Sequence, residues 1–182
     1  MELPIINHPD YVAKINDDNK FPIRKFGALA KHLLENNVVK KFHIPKECSF
    51  ETLKTSHSTE YINHIKNKTL DIKAQKKIGF PINDSVVKRS FVATGGTVLA
   101  SKLALDSKLA CNTAGGSHHA TFECGAGYCV FNDVAVAANY LKNKGYAKKI
   151  LIIDLDVHQG NGNSEIFKNE KDVITFSMHC AS

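Results

Sequence analysis

The sequence predicts an α/β fold, a three-layer α-β-α arrangement with a central parallel sheet. Three observations carry that prediction. From residue 109 onward the pattern runs strand, loop, helix, strand, loop, helix, strand, the alternation of a parallel sheet with crossover helices. The run Ile150-Leu151-Ile152-Ile153 is continuously apolar and mostly β-branched, which suits a buried strand covered on both faces. The chain then turns polar with a period of two: Asp154, Asp156 and His158 point to one side, Leu155 and Val157 to the other, and Gly160 and Gly162 end the strand in a turn. Open α/β sheets bind ligands at the carboxyl ends of their strands, so chemistry is expected here.

The 182 residues, 43% of them hydrophobic, allow one domain, 1–182, with a real core. The net charge of +6 comes from scattered lysines, with no basic stripe interleaved with aromatics. That reads as a solvated surface and not as a nucleic-acid footprint. No apolar run approaches a membrane span and no basic-then-apolar leader opens the chain, so a soluble cytoplasmic protein is expected. Five cysteines, an odd number without a C-x-x-C pair, fit a reducing compartment better than a disulfide framework. Cys124 and Cys129 have no matching second pair to make a zinc site.

Residues 1–20 are polar and irregular, with a turn at His8-Pro9-Asp10. Pro22 opens a helix over 23–36 whose stripe is Phe26, Leu29, Ala30, Leu33 and Leu34, and Asn36-Asn37 ends it. Cys48 to Leu53 leads into a second helix, capped by Ser58 and buried through Tyr61, Ile62 and Ile65. His57, just before that cap, reads as a structural hydrogen-bonding residue ahead of a ligand. Residues 66–78 are Lys-rich and predict an exposed loop, followed by a turn at Gly79-Phe80-Pro81 with a semi-exposed aromatic.

The longest helix spans 85–105. Gly95-Gly96 sits inside it at a cost of about 1 kcal/mol each relative to Ala, which implies close packing against another element. Leu109 to Thr113 predicts a short strand feeding Ala114-Gly115-Gly116-Ser117-His118-His119-Ala120. Glycines let backbone approach a ligand, and adjacent histidines can serve as a base and its electrostatic partner. A plain surface loop is the competing reading. A helix to about Lys144, buried through Val134, Ala137, Ala138 and Leu141, closes at Gly145. A short helix over 163–168 leads to a second buried strand, 172–177.

Asp156 and His158 can reach a single cation, and carboxylate oxygen with neutral imidazole suits zinc or another borderline divalent metal. The same residues could instead face solvent or cap the next helix.

Taken together, Gly115-Gly116-Ser117-His118-His119-Ala120, Gly127-Tyr128-Cys129-Val130-Phe131-Asn132-Asp133 and Asp154-Leu155-Asp156-Val157-His158-Gln159-Gly160-Asn161-Gly162 resemble the histone deacetylase family of the arginase/deacetylase fold. The segments 53–62 and Thr94-Gly95-Gly96-Thr97 extend the resemblance over most of the chain. Gln159 and Asn161 are similar to the class IV, eleven-type branch and its bacterial relatives, with acetylpolyamine deacetylases close by.

The resemblance implies a zinc-dependent hydrolase of acyl-lysine or acylpolyamine amides. Asp156 and His158 would be two of three zinc ligands, and His118 and His119 the histidines beside the water that the metal activates. Asp154 would hydrogen-bond His118. Asn161 stands where many members have an Asp paired with the second histidine. An amide cannot stabilise an imidazolium as a carboxylate does, which favours His119 as the general base. Gly127 and Tyr128 would line the substrate tunnel, and Asp154, Asp156, His158, Ser177 and Met178 would surround a structural potassium.

The resemblance also places a third zinc ligand, an Asp, and an oxyanion-stabilising Tyr in the family's C-terminal half, beyond this sequence. The expectation is therefore an incomplete fold, cut short at its C-terminus. A separate C-terminal fragment would be its partner if the gene is split. An inactive remnant, or a pseudoenzyme that binds acylated ligands, is the alternative.

Overall fold

The computed structural model describes residues 3–181. Its elements in order are β1 (Ile5–Ile6), a 3-10 turn at Pro9–Tyr11, α1 (Lys25–Glu35), α2 (Phe50–Leu53), α3 (Thr59–Asn67), α4 (Ile72–Ile78), α5 (Asp84–Ser107), β2 (Cys111–Asn112), α6 (Asp133–Asn143), β3 (Ile150–Asp154), α7 (Asn161–Phe167) and β4 (Val173–Ser177). Side chains start most of the helices. Ser58, Asp71, Asn83 and Asn132 each accept the backbone N–H three residues on, satisfying a donor that the first turn leaves free.

Both strand pairs are parallel, β1 with β2 and β3 with β4, the second in register from Ile150↔Val173 to Asp154↔Ser177. The α/β class and parallel geometry are as expected, but the strands form two two-stranded sheets. β2 pairs only with Ile5 and Ile6 of β1, and the chain beyond it enters left-handed backbone at Gly115 and Gly116, with φ of 128° and 76°.

The larger core gathers Tyr11, Leu53, Ile62, Phe91, Phe131 and Val136 from the N-terminal turn, α2, α3, α5 and the segment into α6. Gly95 and Gly96 do the packing predicted for them. A Cβ at Gly95 would fall on the carbonyl oxygen of Lys46, and one at Gly96 on the Tyr11 hydroxyl. A smaller core joins Ala135 and Ala138 of α6, Ile152, Phe167 of α7 and Val173.

That smaller core covers only one face of the β3–β4 pair. Leu151, Ile153, Ile174 and Phe176, on the other face, are each more than half exposed, so neither strand is buried on both sides as expected. Alternation along a strand and the register put these four side chains together.

Other expectations are corrected. Residues 66–78 are not a loop: Asp71 accepts from Ala74 N and nucleates α4, and Gly79 closes it in left-handed backbone. Phe80 is buried, packed edge-on to Phe21. α1 begins at Lys25, and of its expected stripe only Phe26 is buried. Leu141 and Val134 are half-buried, the inward face of α6 being Ala135, Val136, Ala137 and Ala138. Gly162 does not end a strand but lies in the first turn of α7. No helix among the described residues is long and apolar enough to cross a membrane.

Candidate active site

The histidine loop is held from behind. Asp133, at the start of α6, is buried, and its carboxylate accepts from Ser117 N at 2.7 Å, Gly116 N at 3.1 Å and the Thr97 hydroxyl at 2.5 Å. From the front, the His118 carbonyl accepts from Gly162 N at 2.8 Å and Asn163 N at 3.3 Å. The first turn of α7 thus docks on the loop, and a Cβ at Gly162 would collide with the carbonyls of His118 and Ala120.

The two imidazoles lie side by side, centroids 4.1 Å apart, on unlike partners. His118 is buried, with Nδ1 2.7 Å from Asp154 Oδ2. His119 is half-buried, with Nδ1 2.6 Å from Asn161 Oδ1. Both partner oxygens accept, so each Nδ1 carries a proton and each Nε2 is left for chemistry.

After Asp154 the period-two strand expected through His158 gives way to side-chain-closed turns. Asp156 N donates to Asp154 Oδ1 at 3.1 Å, and His158 N to Asp156 Oδ1 at 2.7 Å. These turns nevertheless converge the predicted donors. His158 Nδ1 is 3.0 Å and His118 Nε2 3.7 Å from Asp156 Oδ1. The His158 backbone N–H holds the Asp156 carboxyl below the usual carboxylate range, against a smaller opposing effect of burial.

A buried relay of amides supports this layer. Asn163 Nδ2 donates to Asp154 Oδ2 at 3.4 Å, Asn132 Nδ2 to Asn163 Oδ1 at 2.9 Å, and Asn132 N to His57 Nε2 at 2.9 Å. His57 Nδ1 in turn donates to the Thr121 carbonyl at 2.9 Å. His57 is therefore the structural residue the sequence suggested. Burial pushes its pKa down to about 4, so the ring is neutral, with one nitrogen donating and the other accepting.

Six of the eight predicted site residues, His118, His119, Gly127, Tyr128, Asp156 and His158, line one cleft of about 390 Å³, while Asp154 and Asn161 stand behind the two histidines as their hydrogen-bond partners. Gly127 and Tyr128 both have left-handed backbone, φ 54° and 65°. A Cβ at Gly127 would strike the His119 ring. Tyr128 pays for its strained backbone with a 2.6 Å bond from its N–H to the Ile78 carbonyl and with ring contacts to Phe21 and Phe80. Helix α4, missed in the sequence, thus positions a predicted residue. A larger recess of about 790 Å³ along residues 12–25 contains none of these histidines or aspartates.

The donor chemistry of Asp156 and His158 fits zinc, and the two side chains already meet. Among the described residues no group of three or more His, Cys, Asp or Glu is arranged to hold a metal ion. Asp156 and His158 would be two donors of the three that a catalytic zinc takes from protein.

Sequence reasoning missed Asp133, Asn163 and Arg89. Asn132-Asp133 lay inside a recognised motif without a role, and Asn163 follows the Gln159–Gly162 segment directly. Arg89 gave no signal, standing beside Lys88 in what read as a charged surface pair.

The family model for the histone deacetylase domain matches residues 20–182. An uncharacterized protein of Picosynechococcus sp. is 44% identical over 182 residues, a match covering 99% of this chain and 61% of that protein. Histone deacetylase 2 of Arabidopsis thaliana is 30% identical over 87% of this chain and 43% of its own length. Acetoin utilization protein AcuC of Staphylococcus aureus is 29% identical over 91% and 46%. Among solved structures, an HDAC homolog from Aquifex aeolicus matches with a TM-score of 0.86 and 29% identity, covering all of this chain and 52% of that one. The HDA15 HD domain, at 22% identity, shares the fold with a TM-score of 0.85. The chain spans about half the length of the relatives it matches.

Proposed function

Because the chain belongs to the histone deacetylase family, we propose that its cleft serves zinc-dependent hydrolysis of an acylated lysine or acylated polyamine. One observation carries the reading: His118 and His119 stand side by side, one on a carboxylate and one on an amide, beside the converging Asp156 and His158.

Asp156 and His158 would hold the zinc, which when bound polarises the amide carbonyl and lowers the pKa of water toward about 7. His119, with a neutral partner and a free Nε2, takes the proton from water and returns it to the leaving amine. His118, against Asp154, is suited to carry positive charge while the amide carbonyl becomes negative. Tyr128, in the cleft wall, gives the methylene chain of a lysine or polyamine an apolar surface. The potassium expected around Asp154, Asp156, His158, Ser177 and Met178 belongs to the same reading, Asp154 and Ser177 being register partners. The third zinc donor and an oxyanion donor would come from a further segment, in the same chain or a separate one.

The test is zinc content and hydrolysis of a fluorogenic acetyl-lysine peptide by the purified chain, with His118→Ala as control. Near-stoichiometric zinc, with hydrolysis that the control abolishes, is expected when a polypeptide matching the rest of the Picosynechococcus relative is present. Hydrolysis unchanged in the control would overturn the reading.

A further inference from the structure

Arg89 lies on α5, apart from every residue given a role above, yet it lines the same cleft as His118, His119 and Asp156. It is 7% exposed. Its Nε donates to the Tyr11 carbonyl at 3.1 Å, and among the described residues this is its one hydrogen bond. The guanidinium carbon sits 4.9 Å from the Phe26 ring centroid, 5.7 Å from that of Phe21 and 5.8 Å from that of Phe80. The guanidinium carbon thus lies over three aromatic rings, and among the described residues its terminal N–H groups have no acceptor. The Asp133 carboxylate, which favours the charge from a distance, is occupied by Thr97 and the histidine loop.

Among the described residues, no side-chain nitrogen or oxygen is both sealed from solvent and unpartnered. Among those residues the terminal nitrogens of Arg89 have no hydrogen-bond partner, so they keep a path to solvent, and the cleft is the cavity that Arg89 lines. Lys25 lines it too, with Nζ 4.9 Å from the Phe21 ring centroid. The one carboxylate in that wall, Asp156, is assigned above to zinc. This end of the cleft is thus cationic, fork-shaped and walled by aromatic rings. A methyl group placed there would leave buried N–H groups facing an apolar atom, whereas a carboxylate matches the guanidinium fork with two parallel hydrogen bonds.

We propose that Arg89, assisted by Lys25, binds the free carboxylate of an acyl group derived from a dicarboxylic acid, such as succinyl or glutaryl, and so selects acidic acyl-amides. The selectivity rests on the hydrolase reading, while the carboxylate site itself does not.

The test separates the two. The full chain is titrated with glutarate and with acetamide, the neutral acetyl analogue, with and without zinc, and binding is followed by calorimetry and by the NMR signals of arginine Nε–H groups. Glutarate is expected to bind at least about tenfold more tightly than acetamide, the effect of one charge-assisted hydrogen bond. Arg89→Met should abolish the difference. Lys25→Met, at an exposed position that leaves the fold intact, should reduce it by a few fold, so the proposal stays testable if the Arg89 variant unfolds. Acetamide bound as tightly as glutarate would mean that the cleft does not read the carboxylate and would overturn the selectivity. A preference for glutarate that neither variant changes would overturn the assignment to Arg89. Glutarate binding at Arg89 without hydrolysis of either acetyl- or glutaryl-lysine peptide would instead count against the hydrolase reading alone.

Discussion

His119 donates its Nδ1–H to the amide oxygen of Asn161 at 2.6 Å, while the neighbouring His118 faces the Asp154 carboxylate at 2.7 Å. The two rings differ in what they can stabilise. A carboxylate favours an imidazolium by charge, and an amide orients the ring without favouring it. Replacing Asn161 by Asp should therefore give His119 a partner for positive charge. Activity at neutral pH should then fall, with the acidic limb of kcat/KM against pH displaced upward. A profile that keeps its position in Asn161→Asp would remove His119 from the role of base.

Asp156 and His158 should act as one metal-binding unit, since the backbone and ring N–H groups of His158 both close on Asp156 Oδ1. Zinc that binds only the folded chain raises its thermal midpoint, increasingly as zinc exceeds its dissociation constant. Asp156→Ala should lose that rise while leaving the zinc-free midpoint within about 2 °C of the parent, because the Asp156 side chain is half exposed. Thermal scans with and without zinc measure both, and a rise retained in Asp156→Ala would place the metal elsewhere.

His57 makes stability depend on pH. Its folded pKa is about 4 against an ordinary 6.5, so the unfolded chain binds a proton that the folded chain refuses. Stability from this group is present above pH 6.5 and is lost as pH falls toward 4. The loss is roughly 3 kcal/mol at about 1.4 kcal/mol per unit. Urea unfolding at pH 7.5 and pH 4.5 should show it. His57→Gln should be less stable at pH 7.5 and show a shallower decline. An equal decline in parent and variant would assign the pH dependence to other groups.

The motifs that carry charge were legible in the sequence because spacing alone fixes them to one place. Asp156 and His158 meet although the predicted strand geometry fails beyond Asp154, since Asp side chains closing on the next-but-one N–H bring the same residues together. What held Tyr128 was not legible. It depends on α4, whose Lys-rich composition hides a helix built on the Asp71 cap and one buried residue, Ile78. Arg89 was illegible for a related reason. Its burial is set by Phe21, Phe26 and Phe80, from two stretches far apart in the sequence that only the tertiary fold assembles.

The β3–β4 pair offers the sharpest contrast between two faces of one strand. Ile152 is buried against Ala135, Ala138 and Phe167, whereas Leu151 and its register partner Ile174 are each 58% exposed. Ile152→Ala should cost about 2–5 kcal/mol by loss of burial and an unfilled cavity. Leu151→Lys with Ile174→Lys should cost less than about 1 kcal/mol, since the apolar area they lose is already wet. An exposed apolar face of this kind drives association, so the parent chain should associate increasingly with concentration and the double variant should not. Light scattering across a concentration series, paired with urea unfolding, measures both effects. A double variant destabilised as much as Ile152→Ala would show that the outer face is packed in solution, against what the exposures indicate.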